Sequence, residues 1–337
     1  MTHLLDFSPE EVGKKFGGEA YRTDQVLDWV FTKRVRAFGD MTSLPQGLRA
    51  ALPKSFALRT TTVARSDISG QDSTAKFTLE TGDKKHFACV LLPEGRYQSL
   101  CISSQVGCAW ACAFCASGLV PLERNLTSGE ILDQVFWAEE SSGKKIRNVL
   151  FMGMGEPLAN PEGTAGAIRW LLSPKGFGLS PSRVILSTTG LAPQILKISK
   201  ERFGISLALS LHAPDDVLRK RIMPKSAMFP IQDILTACKA YVQENDAEFT
   251  VEYILLKDVN DSPGHARALA KLVRGARFPY LPKINLIPQN PVPGISLTGS
   301  TPERSQAFFN LLKAQRFTVH TRKPKGQDLG AACGQLQ

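Results

Sequence analysis

Apolar and polar positions along this chain change their spacing repeatedly from about residue 97 to residue 325. Short apolar runs, typical of buried strands, alternate with segments in which apolar residues recur every three or four positions, as on one helix face. The strand candidates are 99–103, 146–152, 183–187, 204–210, 248–256 and 283–288. This alternation predicts an α/β fold of βα units around a parallel sheet. Six units are too few for a closed eight-stranded barrel, so a partial barrel or a doubly wound sheet remains.

The N-terminal part has a different pattern. Residues 1–72 predict a small helical unit, because apolar residues recur at helical spacing between positions 21 and 31. Two strand-like runs follow, at 75–79 and 86–92, separated by a turn at 81–83. We therefore divide the chain into a helical unit at 1–72, a hairpin linker at 73–94, a core at 95–325 and a C-terminal tail at 326–337. In the core, the capping box of Thr127 and Glu130 predicts a helix start.

Composition narrows the class of protein. The chain has 337 residues, of which 43% are hydrophobic, and it contains no run of about 18 apolar residues that would cross a membrane. The N-terminus has no secretory pattern, so we expect a cytoplasmic protein without membrane attachment. A net charge of +10 favours a polyanionic partner such as RNA, although a solvated basic surface has the same composition.

Three of the seven cysteines, Cys108, Cys112 and Cys115, are spaced C-x3-C-x2-C directly after the first core strand. In a reducing compartment, clustered cysteines are typical of metal ligands. A structural zinc site normally has four protein ligands, whereas three thiolates on a 4Fe-4S cluster leave one iron open. The spacing therefore favours chemistry at the cluster. Zinc with Cys101 or a distant histidine as the fourth ligand is the alternative, but the five histidines show no paired ligand spacing.

A glycine-rich turn follows the second core strand at residues 153–157. Its glycines let a ligand approach the backbone, and Glu156 offers a carboxylate to an ammonium group. Beside the three cysteines, this turn is a candidate site for a ligand that carries an amino acid, although the same pattern elsewhere is often only a tight turn.

Together these residues resemble the radical S-adenosylmethionine superfamily, and the resemblance narrows to the RlmN/Cfr family of RNA adenine methyltransferases, closest to its RlmN branch. The matching segments are CISSQVGC (101–108), GMGEP (153–157), SLH (210–212), NLIPQNP (285–291) and AACGQL (331–336). YRTDQ (21–25) and DMTSLP (40–45) resemble the family's small N-terminal domain, which is implicated in RNA binding. The resemblance covers nearly the whole chain.

The resemblance implies a partial (βα)6 TIM-like barrel behind the N-terminal helical domain, a 4Fe-4S cluster and two molecules of S-adenosylmethionine per turnover. It assigns Cys108, Cys112 and Cys115 to the cluster, Cys333 to carrying the methyl group and Cys101 to resolving the intermediate. The cofactor contacts that it implies are Gly155, Glu156, Ser187, Ser210, Leu211, His212 and Asn290. From the residues alone, Cys101 also fits a buried strand position, and Cys89 and Cys238 fit packing positions.

The chemistry of an adenine ring carbon explains the need for two further thiols. An amidine-like carbon is electrophilic, so direct methyl transfer from a sulfonium group fails and a radical route is required. A methylated cysteine that loses a hydrogen atom could attack this carbon, and a second thiol and a base would then release the product.

One position departs from the family pattern. Typical members carry a glutamate that accepts the proton thirteen residues before the resolving cysteine, where this chain has Ala88. Alanine cannot accept a proton. The nearby groups that remain as substitutes are those of Glu80, Asp83, His86 and Glu94.

The resemblance predicts methylation of carbon 2 of an adenine at the peptidyl-transferase centre of 23S rRNA, with an adenine beside the tRNA anticodon as a second target. Methylation of carbon 8, or of another RNA, is the alternative, and a non-catalytic metal-containing RNA-binding protein is a further one. We expect a monomer that receives electrons from flavodoxin or ferredoxin. Basic residues would line the route of the RNA backbone: Lys313, Arg316, Arg322, Lys323, Lys325 and residues 219–221.

Overall fold

The computed structural model describes residues 1–15 and 20–337, and within them it has fourteen strands and ten α-helices. The strands are β1 (Thr2–His3), β2 (Phe56–Ala57), β3 (Thr61–Ile68), β4 (Ala75–Thr81), β5 (His86–Glu94), β6 (Tyr97–Cys101), β7 (Gln105–Val106), β8 (Arg124–Asn125), β9 (Asn148–Phe151), β10 (Val184–Thr188), β11 (Ser206–Ser210), β12 (Phe249–Leu255), β13 (Lys283–Pro288) and β14 (Val319–Thr321). The helices are α1 (Pro9–Lys15), α2 (Ala20–Phe31), α3 (Gln46–Ala51), α4 (Ser128–Ser142), α5 (Pro161–Leu172), α6 (Ala192–Ser199), α7 (Asp216–Ile222), α8 (Ile231–Asn245), α9 (Pro263–Gly275) and α10 (Pro302–Ala314).

Ten strands form one sheet, in the order β14-β13-β12-β11-β10-β9-β6-β5-β4-β3. Within this sheet, β6 and the strands from β9 to β14 are parallel and follow chain order without a reversal. A doubly wound sheet would reverse direction at a switch point, so this order is that of a partial barrel. The six predicted core strands are all present, and the α/β fold is confirmed. β14 is a seventh parallel strand, which the sequence did not show because its three residues are too few for a periodic pattern.

The antiparallel part of the sheet corrects the expected organisation of the first 94 residues. Residues 61–68, which we included in the helical unit, form β3 and pair with β4. β3 is an edge strand whose side chains are mostly exposed, so it lacks the apolar alternation that identifies a half-buried strand. The predicted hairpin forms as β4 and β5, but it is continuous with the core sheet, since β5 pairs with β6. The domain boundaries themselves stay a prediction.

A buried polar network joins the N-terminal unit to α4. Asp133, at 0% exposure, accepts hydrogen bonds from the backbone N–H groups of Thr60 (2.9 Å) and Thr61 (3.1 Å) and lies 3.1 Å from His3 Nε2. The guanidinium of Arg59 lies 3.5 Å from the centre of the Phe136 ring. A buried carboxylate with several donors is costly to disrupt, so this network fixes the position of the N-terminal unit against the core.

The local rules that predicted α4 hold in the structure. The Thr127 side chain accepts from the backbone of Glu130, the Glu130 carboxylate accepts from the backbone of Thr127, and the helix ends at Gly143 in the left-handed region. Cys89 and Cys238 are fully buried in the apolar core, which confirms them as packing residues. Within residues 1–15 and 20–337, none of the helices is long and apolar enough to cross a membrane.

Candidate active site

Two adjoining cavities open at the C-terminal ends of the parallel strands. The first, of about 170 Å³, is lined by the cysteines of the C-x3-C-x2-C loop together with Gly155, Glu156, Ser187, Ser210, His212 and Cys333, and we call it the cluster cavity. The second, of about 310 Å³, is lined by β5, the C-terminal tail, Cys101, Asn290 and Cys333, and we call it the tail cavity. Cys333 lies on the wall of both. The structure therefore brings together all but one of the predicted site residues, and the exception is Leu211.

The three loop cysteines lie around the wall of the cluster cavity. The loop follows β7, whose pairing with β8 closes its base, and Cys108 donates its backbone N–H to the Val120 carbonyl at 3.0 Å. Gly118 lies so close to the Cys112 carbonyl oxygen that an added Cβ would approach it to 2.9 Å. This close approach folds the loop back on itself, so that its thiols face one space.

The environment of these thiols fits an iron-sulfur cluster. Burial raises the pKa of Cys108 to about 11 and also raises the pKa of Cys115. Backbone N–H groups oppose this effect, from Trp110 and Gly155 at Cys108 and from Ser117 and Gly118 at Cys115. Bound iron would supply the positive charge that keeps desolvated thiolates deprotonated, and N–H bonds to sulfur are a usual feature of such sites.

The spacing of the three thiols is compatible with a cluster. In the described part of the chain, no three His, Cys, Asp or Glu side chains group around a point where one metal ion would bind. In a 4Fe-4S cluster each thiolate binds a different iron, so the three cysteines need only face a common space, as they do here.

Glu156 is held rigidly at the bottom of the cluster cavity. Its carboxylate accepts from the backbone N–H of Leu158 (3.0 Å) and of Thr189 (2.7 Å), and burial raises its pKa. Its own N–H donates to Gln105 Oε1 at 2.9 Å. The preceding Gly155 has φ +92°, and an added Cβ would lie 2.6 Å from the Gln105 Cβ. Only glycine fits here, and its neighbour Glu156 is thereby presented to the cavity as an acceptor for a cationic group.

Four further predicted cofactor contacts lie on β10, at the end of β11 and directly after β11. The hydroxyl oxygens of Ser187 and Ser210 lie 3.5 Å apart on the cavity wall. His212, in the left-handed region at φ +59°, accepts from the Ile254 N–H at Nδ1, so its proton is on Nε2. Burial lowers the pKa of His212 to about 3, which keeps the ring neutral. Leu211 is fully buried and lines neither cavity.

The tail places Cys333 between the two cavities. Gly334 O accepts from the Ala116 N–H at 2.7 Å, and Leu336 O accepts from the Ser117 hydroxyl, so the tail is bound to the cysteine loop. Cys333 itself is exposed to the cavities, and the surrounding protein desolvates its thiol and raises its pKa. Cys101, at the end of β6, lines the tail cavity, and burial raises its pKa to about 12.

Asn290 is close to the tail and away from the cluster cavity. Its amide donates to the Cys333 carbonyl at 2.9 Å and its Oδ1 accepts from Gln327 at 2.7 Å. The structure thus shows Asn290 holding the tail, and its assignment to the cofactor stays a prediction.

Sequence reasoning missed two residues of the site. Glu252, at 3% exposure, receives hydrogen bonds from Asn285 (2.7 Å) and from Arg322 Nε (3.2 Å). Arg322, which we expected on the RNA route and not as part of the site, lies on the wall of both cavities. A single acid inside the apolar strand β12 was the available signal for Glu252. Arg322 directly follows β14, the strand that the sequence did not show.

The structure separates the four groups that could replace the absent glutamate. Ala88 is fully buried, and its carbonyl accepts from the Ser103 hydroxyl at 2.5 Å. Glu80 binds Lys84, and its carboxylate lies 3.3 Å from His86, whereas Asp83 binds Arg124. Of the four, Glu94 alone lines the tail cavity beside Cys101 and Cys333.

Two family models match separate parts of the chain. A model described as the radical SAM superfamily matches residues 102–269, and a model of the ribosomal RNA large subunit methyltransferase N-terminal domain matches residues 2–58. A Thermus thermophilus protein named probable dual-specificity RNA methyltransferase RlmN is 40% identical over 339 residues, which cover 100% of this chain and 93% of that protein. A protein of the same name from Endomicrobium trichonymphae is 39% identical over 317 residues, with 94% and 91% coverage.

A solved structure extends the similarity to the whole fold. The crystal structure of a radical SAM methyltransferase from Sphaerobacter thermophilus superposes with a TM-score of 0.93 at 37% sequence identity and covers 100% of this chain and 99% of its own. Identity at this level over the full length confirms an enzyme that uses a 4Fe-4S cluster and S-adenosylmethionine to methylate RNA. The chain belongs to the RlmN family of radical S-adenosylmethionine RNA methyltransferases.

Proposed function

We propose that this enzyme methylates carbon 2 of an adenine at the peptidyl-transferase centre of 23S rRNA, and also an adenine beside the anticodon of tRNA, through a methylated Cys333. The dual specificity in the names of the relatives supports two RNA substrates. The position of the thiols supports the route. Cys333 lines both cavities, and Cys101 lines only the tail cavity. This shared placement of Cys333 is the observation that carries the proposal.

The cavities divide the reaction between two places. The bound cluster and S-adenosylmethionine supply the methyl group and, from a second cofactor molecule, the 5′-deoxyadenosyl radical. At the cluster cavity, Cys108, Cys112 and Cys115 hold the cluster, while Glu156 binds the amino group of the cofactor. The Cys333 thiol accepts the methyl group there. At the tail cavity the methyl carbon on this sulfur, after giving a hydrogen atom to the radical, would bond to the ring carbon, which then loses its proton to a base and one electron. The Cys101 thiol would attack the Cys333 sulfur, so that a disulfide forms while the sulfur–carbon bond breaks and the released carbon takes up a proton.

The surroundings of the tail cavity suit an unpaired base. Its walls include Val90, Leu92 and Ile287, and Lys323 and Lys325 contribute positive charge. An adenine that has left its stack would lie between apolar side chains, with its phosphates near the lysines. The net charge of +10 agrees with an RNA partner. We further propose a cytoplasmic monomer that takes electrons from flavodoxin or ferredoxin.

The test is mass spectrometry of rRNA and tRNA from cells with and without the gene, combined with methylation of the same RNAs by the anaerobically reconstituted enzyme. Loss of 2-methyladenosine from both RNAs in the deletion strain, restored by the wild-type gene but not by a Cys333→Ala variant, is the expected result. Loss of 8-methyladenosine would move the target to carbon 8. Unchanged RNA in the deletion strain would refute the substrate assignment.

A further inference from the structure

The tail cavity has one feature that the cysteines do not explain. Among the described residues that line it, Glu94 is the single carboxylate, and the other charged groups are the cations Arg322, Lys323 and Lys325. An acid among cations at the site of a polyanion opposes RNA binding unless it meets a specific donor group.

Strand register and one hydrogen bond together fix where the Glu94 carboxylate lies on the cavity wall that it shares with Cys101. Val90 pairs with Cys101 across β5 and β6, and Glu94 pairs with Tyr97. Alternate residues of a strand share a face, so Val90, Leu92 and Glu94 form one row along the cavity. At about 3.3 Å per residue, Glu94 lies roughly 13 Å along the strand from Val90. The side chain nevertheless turns back along the strand, because its carboxylate accepts from Ser99, which lies on the same face of β6 as Cys101.

The carboxylate is oriented and retains an acceptor position. Its Oε2 accepts from the Ser99 hydroxyl at 3.0 Å. Across the described residues, Oε1 has no protein hydrogen bond. Of the three residues between Val90 and Glu94, Leu92 lines the cavity and adds an apolar surface. A base bound against this row with one ring carbon at the thiols would present the neighbouring atoms of the same edge to the Glu94 carboxylate.

We propose that Glu94 recognises the exocyclic amino group of the target adenine and excludes bases that carry an oxygen there. In adenine, carbon 2 and the amino-bearing carbon 6 flank the same ring nitrogen, so an adenine with carbon 2 at the thiols directs its amino group along the row toward Glu94. The amino group donates to the carboxylate, whereas the oxygen of hypoxanthine or guanine would be repelled. This inference rests on the proposed function, because it requires an adenine in the tail cavity.

The experiment compares RNA fragments that carry adenosine or inosine at the target position. Glu94→Ala and Glu94→Gln are assayed against the wild type for kcat/KM and, with apoprotein and fluorescently labelled RNA, for binding by anisotropy. Glu80→Gln is the matched control, because this acid of the neighbouring strand pairs with Lys84 outside the cavity. We expect the wild type to prefer adenosine by about 10- to 100-fold, as one charge-assisted hydrogen bond provides.

The variants should change the two substrates differently. Glu94→Ala should lose most of the preference. Its kcat/KM for the adenosine RNA should fall about 10- to 100-fold, mainly through higher KM and Kd, while kcat/KM for the inosine RNA should change by less than about threefold. Glu94→Gln should raise kcat/KM for the inosine RNA, because the glutamine amide can donate to the oxygen of hypoxanthine. Glu80→Gln should match the wild type. Equal loss with both RNAs, or a fall in kcat alone, would overturn recognition and would instead indicate a proton acceptor.

The proposed function and this inference fail in distinguishable ways. If the wild type methylates neither RNA while Cys333 still becomes methylated, the substrate assignment fails. If the wild type methylates adenosine but Glu94→Ala keeps the full preference over inosine, the role of Glu94 fails. Methylation of Cys333, measured by peptide mass spectrometry without RNA, should be the same in Glu94→Ala and the wild type.

Discussion

Replacing Gly155 by alanine should destabilise the protein at the cluster cavity in an amount that the structure allows to be worked out. Gly155 has φ +92°, where an L-residue with a Cβ is strained by about 1–2 kcal/mol. The new Cβ would also lie 2.6 Å from the Cβ and 2.7 Å from the Cγ of Gln105. Overpacking of this kind costs about 1–3 kcal/mol, because the neighbour has to move. The total expected loss in the free energy of unfolding is about 2–5 kcal/mol.

A second glycine separates strain from overpacking. Gly178 has φ +66°, but an added Cβ there would meet nothing within 4 Å. Gly178→Ala should therefore cost about 1–2 kcal/mol from backbone strain alone. The difference between the two variants, about 1–3 kcal/mol, measures the clash with Gln105.

Urea unfolding of the apoproteins, followed by circular dichroism, gives the two free energies on a common scale. A functional measurement accompanies it, because Gln105 Oε1 accepts the backbone N–H of Glu156. If Gln105 moves, Glu156 loses this support, so Gly155→Ala should weaken binding of S-adenosylmethionine by the reconstituted enzyme and Gly178→Ala should not. Equal stability of the two variants, or a less stable Gly178→Ala, would refute the reasoning.

Three further predictions concern the thiols and the N-terminal unit. Burial raises the pKa of Cys101 to about 12, against about 8.5 for a free cysteine. In the folded apoprotein at pH 8, Cys101 should therefore react with iodoacetamide about a thousandfold more slowly than a free thiol, because the thiolate is the reactive form. The rate should rise about tenfold per pH unit, and a plateau below pH 9 would contradict this. Cys333→Ala should keep its iron content and bind S-adenosylmethionine but yield no methylated RNA, and methylated RNA from this variant would exclude Cys333 as the methyl carrier. Asp133→Asn should cost about 3–5 kcal/mol in urea unfolding, because its buried donors lose a charged partner, whereas Asp24→Asn at the exposed pair with Lys175 should cost under about 1 kcal/mol.

The sequence predicted the core strands well and the edges of the sheet poorly. The six buried parallel strands have apolar runs bounded by turn residues, so their local pattern is strong. β3 is largely exposed and β14 has three residues, and neither carries such a pattern. β3 is a strand because β4 offers it backbone partners, which is a non-local fact.

The candidate site shows the same limit. The spacing of Cys108, Cys112 and Cys115 is local, and it sufficed to predict a cluster with an open iron. The position of Arg322 against Glu252 was not predictable, because the two residues lie 70 positions apart and pair through the order of three neighbouring strands. Asn290 followed the expected motif, yet its side chain binds the tail.

By itself, the sequence determined the parallel α/β core and the similarity to a family of RNA methyltransferases, and it predicted the cluster ligands, because each of these depends on residue spacing within short segments. Only the tertiary structure decided that Cys333 lies between two cavities, that Cys101 faces the second, and that Glu94 is the acid that shares it. These facts depend on how β5, β6 and the tail meet in space. Hydrogen bonds between residues more than 40 positions apart hold the tail in this position, for example the bond from Asn290 to the Cys333 carbonyl. No local sequence pattern encodes such bonds.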